Sequence, residues 1–100
     1  MKPVRVLTIA GSDPGGGAGI QGDLKTITVL GGFGMSVITA LTVQNTQGVG
    51  EIYELPLDFV ARQFDALAED IGSDAVKTGM LPTCAIVQLI AGKIREIGLK

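Results

Sequence analysis

The chain has no histidine, no tryptophan and a single cysteine, Cys84, in 100 residues. An intrachain disulfide is therefore excluded, and so is a zinc site of the cysteine–histidine type. Without histidine, Cys84 also lacks the usual base partner of a nucleophilic thiol, and it reads as a small core residue. A lone thiol suits a reducing compartment. Charge is sparse as well, with eight Lys and Arg against ten Asp and Glu, a formal net charge of −2 and no basic run. That balance leaves no electrostatic footprint for nucleic acid or for an anionic membrane surface. No window approaches the roughly 20 apolar residues that span a bilayer. The apolar run after Met1-Lys2-Pro3-Val4 holds Arg5 and Thr8 and falls far short of a secretory h-region. Together these absences predict a soluble, cytoplasmic protein.

What is abundant is apolar: 46% of residues are hydrophobic and 18% charged, the balance of a packed domain and not of a disordered segment. The length allows one small domain and not two. Val4 to Ala10 is short, rich in β-branched residues and nearly all apolar, as in a strand buried on both faces of a parallel sheet. From Gly19 to Leu30, Ile20, Leu24 and Ile27 recur at helical spacing, and Gly31-Gly32 stops the helix. Ser36 to Val43 reads as a second strand and Gly48 to Leu55 as a weaker third. Pro56-Leu57-Asp58 opens a second helix, with Asp58 as its expected N-cap and Val60, Phe64, Leu67 and Ile71 as its stripe; Gly72 ends it. Asp74 to Thr78 is a short strand. Thr83 is the expected cap of a last helix with stripe Ile86, Ile90, Ile94 and Ile97. The order β-α-β-β-α-β-α defines an α/β fold with a mainly parallel sheet. Four strands and three helices do not cover both faces of such a sheet, and Ile97-Gly98-Leu99-Lys100 stands where another strand is due. The expectation is the N-terminal part of a longer protein.

The chemistry concentrates in the turn from Gly11 to Asp23. Three consecutive glycines, Gly15 to Gly17, cost chain entropy and are tolerated where backbone approaches a ligand or takes positive φ. The following helix offers free N–H groups and a positive dipole end, which suit an anion or an electron-rich ligand group. Ser12, Asp13 and Asp23 flank the turn, and it lies at the carboxyl end of a strand, where open α/β sheets bind ligands. The alternative is a tight turn without a ligand. A Walker A loop is absent, because Lys25-Thr26 follows Leu24 and not a glycine. Gly17-Ala18-Gly19-Ile20-Gln21-Gly22 does spell the dinucleotide fingerprint, but as a decoy. Ser12 to Gly16 separate it from the strand, and the acidic residue due about 20 positions on is missing. Gly22 falls inside the helix, at about 1 kcal/mol relative to Ala.

The second strand ends in Gln44 and Asn45, amides that each donate and accept. They suit a heteroaromatic ring with an exocyclic amine, or else they satisfy loop backbone. Lys77-Thr78-Gly79-Met80 ends another strand, with Met80 free to pack on a ring or to fill core.

Leu7-Thr8-Ile9-Ala10-Gly11-Ser12-Asp13-Pro14, Gly16-Gly17-Ala18-Gly19-Ile20-Gln21 and Asp23-Leu24-Lys25-Thr26 closely resemble the hydroxymethylpyrimidine/phosphomethylpyrimidine kinases of thiamine synthesis. So do Ser36 to Leu41, Val43-Gln44-Asn45-Thr46 and Lys77-Thr78-Gly79-Met80-Leu81. The resemblance runs in register over nearly the whole chain. It implies a ribokinase-like three-layer α/β/α fold. It also implies ATP-dependent phosphoryl transfer to 4-amino-5-hydroxymethyl-2-methylpyrimidine and then to its monophosphate. By the same resemblance Gln44 and Asp23 bind the pyrimidine, and Gly11, Ala18, Val43 and Met80 form the pocket wall. No catalytic residue falls in this segment: ATP and Mg2+ belong mainly to a C-terminal portion that has no counterpart here, so the chain alone is expected to be inactive. The implied partner is a small pyrimidine, with neither nucleic acid nor membrane, and a homodimer is left open. Gly15 stands where family members often carry Ser, and Gly22 where they usually carry Ala. Three other readings compete: a pyridoxal or pyridoxine kinase of the same superfamily, a non-catalytic nucleotide-binding module resting on the decoy fingerprint, and a ligand-free structural domain.

Overall fold

The computed structural model describes residues 2–98. Its elements follow the expected order: β1 (Arg5–Ser12), α1 (Gly19–Val29), β2 (Phe33–Asn45), β3 (Gly48–Glu54), α2 (Leu57–Asp70), β4 (Ala75–Thr78) and α3 (Cys84–Glu96). Leu99 and Lys100, part of the stretch where a further strand is due, lie outside the described residues.

The four strands form one sheet in the order β3-β2-β1-β4. β1 pairs in parallel with both β2 and β4, and its central place explains its apolar run: Leu7, Thr8, Ile9 and Ala10 are all buried. β3 pairs antiparallel with β2 and is exposed along its whole length, the pattern of an edge strand returned by a tight hairpin. The expected mainly parallel sheet therefore carries one antiparallel edge.

Strand alternation sorts the helices into layers. Leu7 and Ile9 of β1, with Met35 and Val37 beside them on β2, pack against Val60 and Phe64 of α2 and Ile86 and Ile90 of α3. The residues between them face α1: Thr8 reaches Asp23, and a Cβ on Gly34 would come 2.8 Å from Leu24 Cδ2. One helix thus covers one face and two helices the other, the three-layer arrangement. Right-handed crossovers account for it, because β1 to β2 and β2–β3 to β4 run in opposite directions across the sheet.

Several local expectations meet their physical cause here. Gly31 takes φ +87° and closes α1, and Gly72 takes φ +70° after α2. Thr83 Oγ1 accepts the Ile86 N–H at 3.2 Å, the expected cap of α3. Asp58 is a correction. Pro56 occupies the N-cap position of α2 without a side-chain bond, and its carbonyl receives the first amides, so Asp58 lies in the first turn, where it meets only the helix dipole. β2 is longer at both ends than its β-branched centre suggests, because Phe33 N–H donates to Val4 O at 2.8 Å and the β3 pairing carries it on to Asn45. Gly22 is more than a weak helical residue: a Cβ there would lie 2.9 Å from Gly17 O, so its absence lets α1 sit close on the glycine turn.

Candidate functional site

The turn after β1 is organised by Asp13. The residue is buried, 6% exposed. Its carboxylate accepts three backbone N–H groups, from Gly15 at 2.8 Å, Gly17 at 3.1 Å and Ala18 at 2.9 Å. Asp13 O also accepts Gly16 N–H at 3.0 Å. The amides that make a glycine-rich turn an anion cradle are thus already given to an internal carboxylate. Two α1 side chains hold the turn from the other side. Gln21 accepts Asp13 N–H at 2.7 Å and donates to Ser12 Oγ at 2.7 Å, while Lys25 donates to Gly16 O at 2.8 Å. Gly19 takes φ +56°, and a Cβ on it would lie 2.3 Å from Gly11 O, so no other residue fits where the helix starts over the strand end.

Two irregularities shape the neighbouring strand ends. The β1–β2 register slips between Ala10 and Gly11, leaving Thr39 as the extra residue on β2. Thr39 is fully buried; its hydroxyl donates to Met80 O at 3.0 Å, and its carbonyl accepts Leu55 N–H at 3.1 Å. The bulge therefore ties the middle of β2 to the turn after β4. A second slip in β2–β3 falls between Val43 and Gln44. Thr42 Oγ1 donates to Ser12 O at 2.7 Å and also lies 3.1 Å from Gln44 Oε1. Its single proton serves one of them at a time. Gly79 N–H donates to Ile9 O at 2.8 Å, which seats the turn after β4 on β1, and a Cβ on Gly11 would meet Met80 Sδ at 3.5 Å.

The result is a cleft of about 250 Å³ at the carboxyl end of the sheet, lined chiefly by Gly11, Ala18, Thr42, Gln44, Lys77 and Met80. The chain leaves β1 toward α1 and β4 toward α3, on opposite faces, which opens the crevice that α/β sheets use for ligands. Four of the six positions singled out from sequence, Gly11, Ala18, Gln44 and Met80, meet in this cleft. Val43 does not line it. Next to Gln44 on a strand, it points to the opposite face, is 65% exposed, and borders a shallower hollow along β2–β3 that Gln44 also lines. Asp23 does not line it either. It faces a larger groove, about 520 Å³, between α1 and the free edge at β4, lined also by Val6, Ile27 and Leu30.

Asp23 is joined to the cleft through one neighbour. Its Oδ2 accepts Thr8 Oγ1–H at 2.6 Å and the Lys77 ammonium at 2.8 Å, and Lys77 lines both the groove and the cleft. Partial burial pushes the Asp23 carboxyl up, but the bonds from Lys77 and Thr8 outweigh it and hold the group below the usual carboxylate range. The sequence places Asp13 beside the turn but does not mark it as the turn's anchor, and it does not mark Lys77 as a binding residue. The signal for Lys77 was a charged residue in a four-residue strand otherwise compatible with burial. Asp13 directly before Pro14 and the glycines was the signal for a turn anchor.

No helix among the described residues is long and apolar enough to cross a membrane. Among the same residues no group of three or more Asp, Glu, Cys or His is arranged to hold a metal ion.

A parallel sheet with one antiparallel edge, helices on both faces and a cleft at the strand carboxyl ends is the architecture of the ribokinase-like kinases. The solved phosphomethylpyrimidine kinase of Clostridium difficile superposes with a TM-score of 0.92 at 46% identity, over 97% of this chain and 42% of that one. The family profile for phosphomethylpyrimidine kinase matches residues 13–100, and the chain belongs to that family. The hydroxymethylpyrimidine/phosphomethylpyrimidine kinase of Escherichia coli is 52% identical over 96 residues, which is 96% of this chain and 36% of the relative. The chain thus spans little more than a third of that relative's length. A pyridoxal kinase of Staphylococcus aureus, solved with AMP-PCP and pyridoxal, also superposes, with a TM-score of 0.89 at 36% identity over 100% of this chain and 37% of that one.

Proposed function

We propose that this chain supplies the acceptor pocket of a cytoplasmic, ATP-dependent kinase acting on 4-amino-5-hydroxymethyl-2-methylpyrimidine and then on its monophosphate, in thiamine diphosphate synthesis. The observation that carries the reading is the convergence of Gln44, Met80, Gly11 and Ala18 on one cleft at the sheet's switch point. An aminopyrimidine presents a donor beside a ring-nitrogen acceptor, which one carboxamide can match in a coplanar pair. Met80 offers a polarisable thioether to a ring face, and the side-chain-free Gly11 and the small Ala18 leave room for the ring. Val43, on the opposite face, is not part of this pocket.

In the first transfer the acceptor hydroxyl oxygen forms the new bond to phosphorus, the bond to the leaving nucleoside diphosphate breaks, and the hydroxyl proton passes to a base; in the second an oxygen of the monophosphate is the nucleophile and the same bond breaks. The amides of Gly15, Gly17 and Ala18 are given to the Asp13 carboxylate and are not offered to a nucleotide phosphate. The steps derived from this chain are therefore binding and orientation of the acceptor. ATP, Mg2+ and the base are assigned to other parts of the polypeptide, of which residues 1–100 form the N-terminal part of a single kinase domain.

A pyridoxal kinase is the second reading, favoured by the likeness to the Staphylococcus aureus enzyme. Isotope transfer from labelled ATP to the two acceptors in competition, with the full-length enzyme, separates them. Preferential labelling of the pyrimidine is expected; preferential labelling of pyridoxal overturns the assignment. The 100-residue chain alone is expected to show no turnover in the same assay.

A further inference from the structure

We propose that Lys77 is the group by which the cleft recognises a phosphoryl anion on the acceptor, and that Asp23 is the residue that aims it. The inference rests on the kinase reading above and names the subsite for the monophosphate.

Among the described residues lining the cleft, Lys77 is the sole cation, and the sole carboxylate there, Asp13, is held by three backbone amides. An anionic acceptor entering the cleft thus finds the amides of Gly15 to Ala18 occupied and one mobile positive charge. The Lys77 side chain is 51% exposed, and a Cβ on Gly79 would lie 3.3 Å from its Nζ, which sets the ammonium against the cleft wall. Of the three ammonium protons, one goes to Asp23 at 2.8 Å, leaving two for a ligand oxygen. A lysine serves phosphate as a flexible point charge, without the fixed fork of arginine.

Asp23 lines the groove under α1 and not the cleft, so its route to a ligand there runs through Lys77. Its side chain is 21% exposed, and it is bonded to Thr8, which is fully buried in the central strand. Asp23 is therefore a rigid post against which a flexible side chain is steered; it is a positioning residue and not a ring contact.

The test measures KM for the monophosphate and for the unphosphorylated alcohol in the full-length enzyme. Lys77→Met is expected to raise the ratio of the two, monophosphate over alcohol, by about tenfold. Lys77→Arg keeps the charge and should hold that ratio within about threefold of wild type. Asp23→Asn should raise it in the same direction as Lys77→Met, but less. If Lys77→Met does not fold, Lys77→Gln, which retains a donor toward Asp23, is read by the same ratio. An unchanged ratio in folded Lys77→Met or Lys77→Gln overturns the inference even if both KM values rise together. Wild-type enzyme that transfers phosphate to neither acceptor overturns instead the kinase reading beneath it.

Discussion

At the amino end of the sheet, Arg5 of β1 meets Asp74, just before β4, at 2.9 Å; at the carboxyl end, Lys77 of β4 meets Asp23 of α1 at 2.8 Å. The distances are alike, and both pairs lie where β1 and β4 run side by side. Their surroundings differ. Arg5 and Asp74 are 42% and 44% exposed, and their bonds close the connection between α2 and β4: a forked contact between the side chains, Arg5 N–H to Asp74, and the guanidinium to Ile71 O. Hollows of about 240 and 370 Å³ adjoin them, the first lined mostly by apolar side chains, but neither member of the pair is held by a buried side chain. Asp23 is half as exposed as Asp74, rests on a buried threonine and presents its partner to the cleft at the strand ends. An ion pair acquires a role beyond local pinning when its neighbours restrict one member and leave the other facing a ligand-sized space.

Four measurements sharpen or break this contrast between the two ends. The largest effect is expected at the carboxyl end, from Gly19→Ala. A methyl group 2.3 Å from Gly11 O at positive φ forces the turn apart, with a loss of about 3 kcal/mol in urea unfolding. Asp13→Ala follows, leaving three amides without their acceptor, at about 2 kcal/mol by the same measurement. Gln44→Ala should raise KM for the pyrimidine about tenfold in the full-length enzyme while the unfolding midpoint stays put. A fall in kcat with KM unchanged would remove Gln44 from the ring-binding role.

The smallest effect is expected at the amino end. The double variant Arg5→Ala/Asp74→Ala should melt within about 4 °C of wild type at neutral pH, as exposed pairs do. Its pH profile is the sharper readout. Side-chain and backbone bonds from Arg5 lower the Asp74 carboxyl to about 2, below its unfolded value of about 3.9. The pair's contribution is thus present above about pH 4 and fades as the pH falls toward 2, so the double variant should lose less stability across that range than wild type. Asp23 is shifted in the same direction and keeps part of the acid dependence in both proteins. A double variant that costs more than Asp13→Ala would reverse the ranking of the two ends.

Much of the fold could be read from local pattern. The stripe of Val60 and Phe64, the stripe of Ile86 and Ile90, the stops at Gly31 and Gly72, and the Thr83 cap depend on residues within a turn or two of one another. The misplaced cap at Asp58 has a local cause too: Pro56 enters the helix with extended backbone and takes the N-cap position itself. The site was legible where its residues sit at strand ends, as Gln44 and Met80 do. The misfit of the dinucleotide fingerprint was legible from spacing, but the use of the turn amides was not. The Asp13 carboxylate folds back on the amides of Gly15, Gly17 and Ala18.

The sequence by itself determined which segments become strands and helices and that a glycine turn joins the first of each, because periodicities of two and 3.6 residues and the freedom of glycine act over short stretches of chain. Only the tertiary structure decided which side chains share a space. Gln44 and Met80 are 36 positions apart and meet because β2 and β4 flank β1. Asp23, close in sequence to the turn, is turned away from the cleft because α1 lies on one face of the sheet, and it touches the site only through a lysine carried in by the last strand. Sheet order and the face each helix covers are set by burial summed over the whole molecule, and no short stretch of sequence records that sum.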